Sequence, residues 1–229
     1  MFKEYLKNIN IDISPDQEAK FELYFEYLVK MNSVMNLTAI TEKEEVYIKH
    51  FYDSLLVSKC MDLNNKTLVD VGSGAGFPSI PLAILNPSIR VTIIDSLNKR
   101  IKFLNDLIKL LGLDNVEALH YRAEDYAKIK RESFDIATAR AVARLNVLSE
   151  LCIPLVKPNG FFIALKGTDA TELPEASTAL STLGVKFLKE DKFLLPQNMG
   201  ERTLYSFIKV KKTPLKYPRQ FKDIKNKPL

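Results

Sequence analysis

The first 62 residues carry apolar side chains at helical spacing and contain no alternating stretch that would predict a strand. The clearest helical series comprises Phe21, Tyr24, Phe25 and Leu28. Ser14 followed by Pro15 predicts the start of this helix, because serine is a good N-cap and proline suits the first helical position. The segment from 32 to 41 breaks the pattern. Thr41 and Glu44 then have capping-box spacing, which predicts a second helix to about Lys59.

From Thr67 onward, short apolar runs alternate with helical patterns. Predicted strands occupy 67–71, 90–95, 116–120, 134–139 and 161–166. Predicted helices occupy about 79–85, 99–111 ending at Gly112, a turn at 124–127, 146–155 and 171–183. Two more strands, 186–194 and 202–211, have no helix between them. Alternating strands and helices predict an α/β fold with a mostly parallel seven-stranded sheet, whose last two strands pair antiparallel.

Length and composition fit one main core with smaller additions. The chain has 229 residues, of which 46% are hydrophobic, enough for a single domain of this size. We expect an N-terminal helical cap over residues 1–62, an α/β core over 63–212 and a basic C-terminal tail over 213–229. No apolar run approaches the roughly 20 residues that span a bilayer. The N-terminus carries an acid, Glu4, and lacks a long apolar run, so it predicts no secretory signal.

The distribution of charge and the number of cysteines indicate which binding partners and which cellular compartment to expect. The net charge is +5, and from Lys209 onward eight Lys or Arg stand against one acid, Asp223. Such a terminus suits a phosphate backbone, although a merely solvated tail has the same composition. Cys60 and Cys152 are too few and too far apart to predict a metal site or a disulfide. We therefore expect free thiols, no bound metal and a cytoplasmic protein.

Candidate chemistry is concentrated between the first two predicted strands. Gly72, Gly74 and Gly76 follow the first strand, and Pro78 lies just beyond them. Glycines at this spacing allow positive φ angles and let backbone N–H groups approach a ligand. Asp95 ends the next strand, where a carboxylate can accept both hydroxyls of a ribose. The pattern predicts a nucleoside-cofactor site, although a tight turn without a ligand also uses glycines.

The spacing of these residues decides between cofactors. A dinucleotide fingerprint would be G-x-G-x-x-G, whereas this chain has G-x-G-x-G. With Asp95 and the Arg122–Asp125 turn, the layout resembles S-adenosylmethionine-dependent methyltransferases of the Rossmann-like class. The resemblance implies that Asp95 holds the ribose, that Ala123 and Glu124 flank the adenine, and that the glycine loop with Phe77 contacts the cofactor. Phe77 as core packing and Glu124 as a solvated helix-start acid are the simpler alternatives.

Longer motifs resemble one family in particular. They are Asp70–Ala83, Asp95–Leu104, Ala139–Ala143, Ala164–Gly167, Asn36–Thr38, His50–Leu55, Tyr217–Arg219 and Pro228–Leu229. These segments are similar to the glucose-inhibited division protein B family, the 16S rRNA guanine-N7 methyltransferases, from about residue 32 onward. Ser79 stands where that family usually has glycine, and the glycine that typically follows Tyr-Pro-Arg is missing.

The resemblance implies methyl transfer from S-adenosylmethionine to N7 of a guanine in 16S rRNA or a small-subunit particle. Arg140 is then a binding residue for cofactor or guanine and the best candidate for a catalytic role, since no general base is required. Candidate RNA-binding residues are Arg144, Lys166, Lys216 and Arg219. His50 and Asp53 match family positions, and we assign them to helix packing. We expect a monomer without a membrane partner.

Other functions remain to be weighed against this one. An NAD-dependent oxidoreductase is disfavoured by the glycine spacing. A non-catalytic rRNA-binding assembly factor would need neither the intact glycine loop nor Asp95. A methyltransferase acting on a small molecule or on another RNA is the nearest alternative, and the basic tail with Arg140 and Arg144 argues against the small molecule.

The tail composition generates a prediction. Truncation after Thr213 should weaken RNA binding, because five cations are removed, with little loss of cofactor affinity. The measurement is RNA binding across a salt titration; unchanged binding would contradict a role for the tail.

Overall fold

The computed structural model describes residues 2–229, and within them one seven-stranded sheet forms the centre of the molecule. The strands are β1 Thr67–Val71, β2 Arg90–Asp95, β3 Val116–His120, β4 Phe134–Arg140, β5 Val156–Lys166, β6 Val185–Leu194 and β7 Glu201–Lys209. Their spatial order is β3-β2-β1-β4-β5-β7-β6. Strands β1 to β5 run parallel, and β7 is antiparallel to both β5 and β6. The predicted fold class is confirmed.

The strand order reverses between β1 and β4, which are neighbours in the sheet. From β1 the chain moves outward through β2 to β3, and then returns to the other side of β1 to form β4 and β5. Loops that leave β1 and β4 therefore separate at the carboxyl edge and open a crevice. In open α/β sheets this reversal is where ligands bind.

The N-terminal residues form helices, as predicted. They are α1 Phe2–Lys7, α2 Pro15–Met35, α3 Lys43–Val46, a π-helical turn Tyr47–Tyr52, α4 Asp53–Leu55 and α5 Val57–Cys60. Ser14 caps α2: its Oγ accepts from the Gln17 backbone N–H at 3.2 Å, while Gln17 Oε1 accepts from the Ser14 N–H at 2.9 Å. The predicted Ser14 cap is confirmed.

The predicted capping box at Thr41 is wrong. The N-cap of α3 is Glu42, which makes no side-chain capping bond. Tertiary contacts hold this segment instead: Lys43 Nζ and the Tyr47 hydroxyl donate to the two carboxylate oxygens of Glu22 on α2, at 2.5 and 2.8 Å. The helix predicted to run to Lys59 is also divided, because the chain passes through the π-helical turn.

Further helices cover the sheet on both faces. They are α6 Ser79–Leu85, α7 Asn98–Leu111, α8 Ala123–Ile129, α9 Leu145–Cys152, α10 Glu172–Glu175, α11 Ser177–Leu183 and α12 Phe221–Asn226, with a 3₁₀ turn at Ile153–Leu155. Successive strand residues face opposite sides: Leu68 lies in the core shared with the N-terminal helices, and Val69 in the core under α8, α9 and α11. Gly112 ends α7 in the left-handed conformation, as predicted.

Two boundaries differ from the predicted ones because of packing. Strand β5 begins at Val156, not 161, because Val156 pairs with Phe134 before a bulge. Gly160 permits this course, since a Cβ there would lie 2.7 Å from the Asp135 carbonyl oxygen. The helix predicted over 171–183 is interrupted at Ala176, which is fully buried.

The C-terminal segment, residues 213–229, is folded onto the core. The Arg131 guanidinium donates to the carbonyl oxygens of Thr213, Pro214 and Tyr217 at 2.7, 3.0 and 2.7 Å. Arg219 Nη2 lies 2.6 Å from Glu150 Oε2, and Glu150 is fully buried. Ordered contacts therefore fix a segment whose composition resembles a solvated tail. Over residues 2–229, no helix is long and apolar enough to cross a membrane.

Tyr24 connects α2 to the glycine loop. Its hydroxyl donates to the Ala75 carbonyl oxygen at 2.6 Å in a buried setting, and its ring stacks on Phe77 with centroids 5.4 Å apart. The loop is thus supported from the side of the N-terminal helices.

Removal of this hydroxyl tests the support. Tyr24→Phe should lower the free energy of unfolding by about 1–3 kcal/mol, because the buried Ala75 carbonyl loses its donor. Urea unfolding measures the change. Tyr27→Phe on the same helix is the matched control, because it leaves the hydrogen bond to the Ala75 carbonyl intact. Equal stability of the two variants would contradict the assigned support.

Candidate functional site

The loop between β1 and α6 has glycine where a side chain would collide. Gly72 and Gly76 have φ values of +73° and +103°. A Cβ on Gly72 would lie 2.9 Å from Val142 Cγ2, and one on Gly76 would lie 2.7 Å from Ile80 Cγ1. The loop can therefore lie close against the segment after β4 and against α6 because these residues have no side chains.

Asp70 lies beneath this loop. Its side chain is fully buried, and its Oδ2 accepts a hydrogen bond from Ser79 Oγ at 2.6 Å. Burial raises the pKa of Asp70 to about 7, although the Ser79 hydrogen bonds oppose this rise. The other oxygen, Oδ1, has no hydrogen-bond partner among residues 2–229. Asp70 thus supports the start of α6 from inside the sheet.

Asp95 ties the glycine loop to the end of β2. Its Oδ2 accepts from the Gly74 N–H at 3.3 Å and lies 3.3 Å from Arg100 Nη1. Its Oδ1 accepts from the Leu97 N–H at 2.9 Å. The carboxylate is fixed by donors from both segments that border the crevice.

A cavity of about 340 Å³, which we call the Asp95 cavity, opens at this position. Four predicted cofactor-binding residues line it: Gly72, Asp95, Ala123 and Glu124. Its polar groups are carried by β2, α7 and the β3–α8 turn, while Leu151 and Phe221 contribute apolar surface. The volume and the mixed lining are typical of small-molecule sites.

The other predicted cofactor-binding residues lie elsewhere. Gly74 reaches the cavity through its hydrogen bond to Asp95. Gly76 faces α6 and Tyr24, and Phe77 is buried against Tyr24 and against His50, with the latter ring centroid at 4.6 Å. Arg140 lines a second cavity.

This second cavity, the Arg140 cavity, measures about 590 Å³. Arg140 Nη1 donates to Asp53 Oδ2 at 3.0 Å and to the Lys49 carbonyl oxygen at 3.2 Å, and its guanidinium lies 4.7 Å from the Phe77 ring centroid. Arg202 Nε is 3.3 Å from the same Asp53 oxygen. The wall is therefore cationic and held rigid by one buried carboxylate.

His50 and Asp53, assigned to helix packing from the sequence, both line the Arg140 cavity. His50 Nε2 lies 2.8 Å from Thr38 Oγ1. Burial, together with the Arg140 charge, lowers the pKa of His50 to about 3, so the imidazole is neutral at pH 7. The spacing of three residues on a helix could have placed the pair on one face. Arg202 had no such signal, because its position depends on where β7 joins the sheet.

The two cavities share a wall. Ala141 and Val142, directly after β4, line both of them. Ala141 has a φ of +56°, an uncommon conformation for a residue with a side chain, and Val142 packs over Gly72. The two cavities therefore adjoin at this short segment, and ligands in them would approach each other along it.

The predicted RNA-binding residues have intramolecular partners. Arg144 Nη2 lies 2.6 Å from Glu175 Oε2, and Lys166 Nζ lies 2.7 Å from Glu172 Oε2; both cations line the Arg140 cavity. Lys216 is exposed and lies over the Tyr217 ring at 5.2 Å. Arg219 is bound to Glu150.

Sequence comparison matches most of the chain. A family model described as GidB, rRNA small subunit methyltransferase G, matches residues 17–199. A ribosomal RNA small subunit methyltransferase G from Lactobacillus helveticus is 54% identical over 98% of this chain and 96% of its own length. The protein of that name from Staphylococcus aureus is 50% identical over 95% of this chain and 92% of its own length.

Solved structures share the fold at low identity. M. jannaschii TYW2, in complex with AdoMet, has a TM-score of 0.53 at 18% identity, over 68% of this chain and 74% of that one. A precorrin-6y C5,15-methyltransferase from Geobacter metallireducens has a TM-score of 0.51 at 17% identity, over 74% of this chain and 90% of that one. The chain thus shares its fold with these two proteins.

The geometry of the Asp95 cavity generates a prediction. Asp95→Ala should raise the dissociation constant for S-adenosylmethionine about tenfold or more, because hydrogen bonds to a charged group contribute about 1.5–3 kcal/mol. Isothermal titration calorimetry measures it, with Asp106→Ala, an exposed acid on α7, as the control. An unaltered titration for Asp95→Ala would refute the ribose assignment.

Proposed function

Since the chain belongs to the family of rRNA small subunit methyltransferase G, we propose that it methylates N7 of a guanine in 16S rRNA. The single observation that supports this reaction best is the shared wall at Ala141 and Val142. One cavity has the lining of a nucleoside site, and the other has a rigid cationic wall. A methyl donor and an acceptor base on the two sides would meet at this wall.

The residues of the Asp95 cavity fit S-adenosylmethionine. Asp95 offers carboxylate oxygens for ribose hydroxyls, and Ala123 with Glu124 borders the space proposed for adenine. Gly72 has no side chain, so its backbone packs against Val142 and lines the cavity directly. When bound, the cofactor supplies an electrophilic methyl group on its sulfonium. Gly74 and Phe77 support this site from behind, through Asp95 and the N-terminal helices.

Guanine N7 carries a lone pair and no proton at neutral pH, so its methylation requires no general base. The requirement is that N7 and the methyl group be aligned, which is catalysis by proximity and orientation. The neutral His50, with a pKa of about 3, fits a cavity that binds a base without exchanging protons with it. In this role Arg140 holds the base while leaving N7 free.

Arg140 can perform this task because its guanidinium is already oriented. Asp53 and the Lys49 carbonyl hold one side of the fork, and Phe77 supports one face. Nη2 lies 3.3 Å from His50 Nδ1, and the N–H groups not used in these contacts suit guanine O6 or a phosphate oxygen. Contacts to N7 itself would block the attack, so we assign Arg140 to O6 or to a phosphate oxygen on the acceptor side.

We extend the proposal to the whole substrate. Arg144 and Lys166 at the Arg140 cavity, with Lys216 and Arg219 in the C-terminal segment, would approach RNA phosphates. The target guanine would lie in a loop of 16S rRNA or of an assembling small subunit, where a base can be turned out of its stack. We propose a cytoplasmic monomer, organised as helical cap 1–62, methyltransferase core 63–212 and C-terminal segment 213–229.

The decisive experiment is transfer of a tritiated methyl group from S-adenosylmethionine to undermodified small-subunit RNA, followed by nucleoside analysis. Labelled 7-methylguanosine is expected. Label in another nucleoside, or no label, would overturn the N7 assignment.

A substitution in the Arg140 cavity distinguishes binding of the methyl-acceptor base from binding of the methyl-donor cofactor. Arg140→Lys should reduce the transfer rate at least tenfold, because lysine keeps a positive charge for Asp53 but lacks the oriented guanidinium fork that holds the base. Its calorimetric affinity for S-adenosylhomocysteine should stay within about threefold of that of the unmodified chain, in contrast to Asp95→Ala. Equal loss of cofactor affinity in both variants would contradict the assignment of Arg140 to the acceptor side.

A further inference from the structure

Phe221 is a large aromatic side chain on the wall of the Asp95 cavity, although it belongs to the C-terminal segment. It begins α12, and 37% of its surface is exposed. Ile224, one turn later, is fully buried in the core under α9. Ile224 therefore anchors the helix, and Phe221 keeps a partly open ring at the cavity.

The position of Phe221 is fixed by contacts on both sides of it in the chain. Arg219, two residues earlier, binds the buried Glu150 through Nε and Nη2, at 2.9 and 2.6 Å. Glu150 belongs to α9, the helix that also supplies Leu151 to the cavity wall. Tyr217 is buried, and Arg131 holds its carbonyl oxygen. The ring is thus presented by a docked segment rather than by a mobile one.

The composition of the wall around Phe221 indicates what the ring meets. Besides Phe221, the lining includes the apolar side chains of Leu151, Ala123 and Val142 and the polar side chains of Asp95 and Arg100. A nucleoside has the same division, with a flat apolar base and a polar sugar. Aromatic side chains stack on bases because every base offers a π face.

We propose that Phe221 contacts the adenine ring of S-adenosylmethionine, so that the C-terminal segment is part of the donor site. This rests on the proposed function, in which the Asp95 cavity holds the cofactor. The expectation that the tail can be removed with little loss of cofactor affinity is revised accordingly.

Calorimetry with S-adenosylhomocysteine tests the contact. Phe221→Ala should raise its dissociation constant about tenfold, equivalent to about 1.4 kcal/mol and within the range of base–aromatic stacking. Phe221→Leu should also weaken binding, while Phe221→Tyr should retain it. Leu215→Ala, in the same segment with 89% of its surface exposed, is the matched control. Unchanged binding by Phe221→Ala or Phe221→Leu would overturn the aromatic contact.

Fluorescence gives a second readout that does not depend on a loss of stability. The sequence contains no tryptophan, so Phe221→Trp introduces a single reporter at the cavity and Leu215→Trp a control outside it. S-adenosylhomocysteine should change the emission of Phe221→Trp and leave the emission of Leu215→Trp unchanged. The same response from both variants would overturn the proposal. Failure of the unmodified chain to bind would refute the proposed function, whereas normal binding with a silent Phe221→Trp refutes the contact at Phe221.

Discussion

The buried ion pair between Arg140 and Asp53 is the interaction on which the arrangement of both cavities depends. Arg140 ends β4, Asp53 belongs to the N-terminal helices, and their side chains are 15% and 3% exposed. Separating such charges is costly, because Arg140 would lose its carboxylate partner in a largely buried setting and Asp53 would keep only Arg202. The pair therefore holds the N-terminal helices against the carboxyl edge of the sheet. It also fixes the start of the Ala141–Val142 wall, since that wall is the continuation of β4.

Much of the fold could be predicted because local patterns and tertiary structure agree. Strands β1 and β2 and helix α6 begin and end where the apolar runs and Pro or Asn punctuation indicate. The structure differs from the prediction where a side chain distant in sequence determines the local conformation. Glu22 on α2 replaces the expected Thr41 cap, and Glu150 draws Arg219 into the protein. Neither partner is visible from local sequence.

The candidate site divides in the same way. Gly72 and Asp95 could be placed together because parallel strands deliver their carboxyl ends to one edge. Ala123 comes shortly after β3, the next strand of that series, so its position could also be predicted. The position of Arg202 could not be predicted, because it reaches Asp53 only through the insertion of β7 between β5 and β6. Phe221 depends in turn on the docking of a segment whose composition suggests solvent exposure.

The docking of residues 213–229 has a consequence for biosynthesis. The glycine loop and Asp95 leave the ribosome early, and strand pairing from β1 to β4 can follow as the chain lengthens. Leu151 and Phe221, in contrast, meet only after β5, β6 and β7 have been synthesised and paired. A nascent chain therefore contains the glycine loop and Asp95 long before Phe221 completes the lining of the Asp95 cavity. The contribution to ligand affinity that we propose for Phe221 is therefore absent until the C-terminal segment has docked.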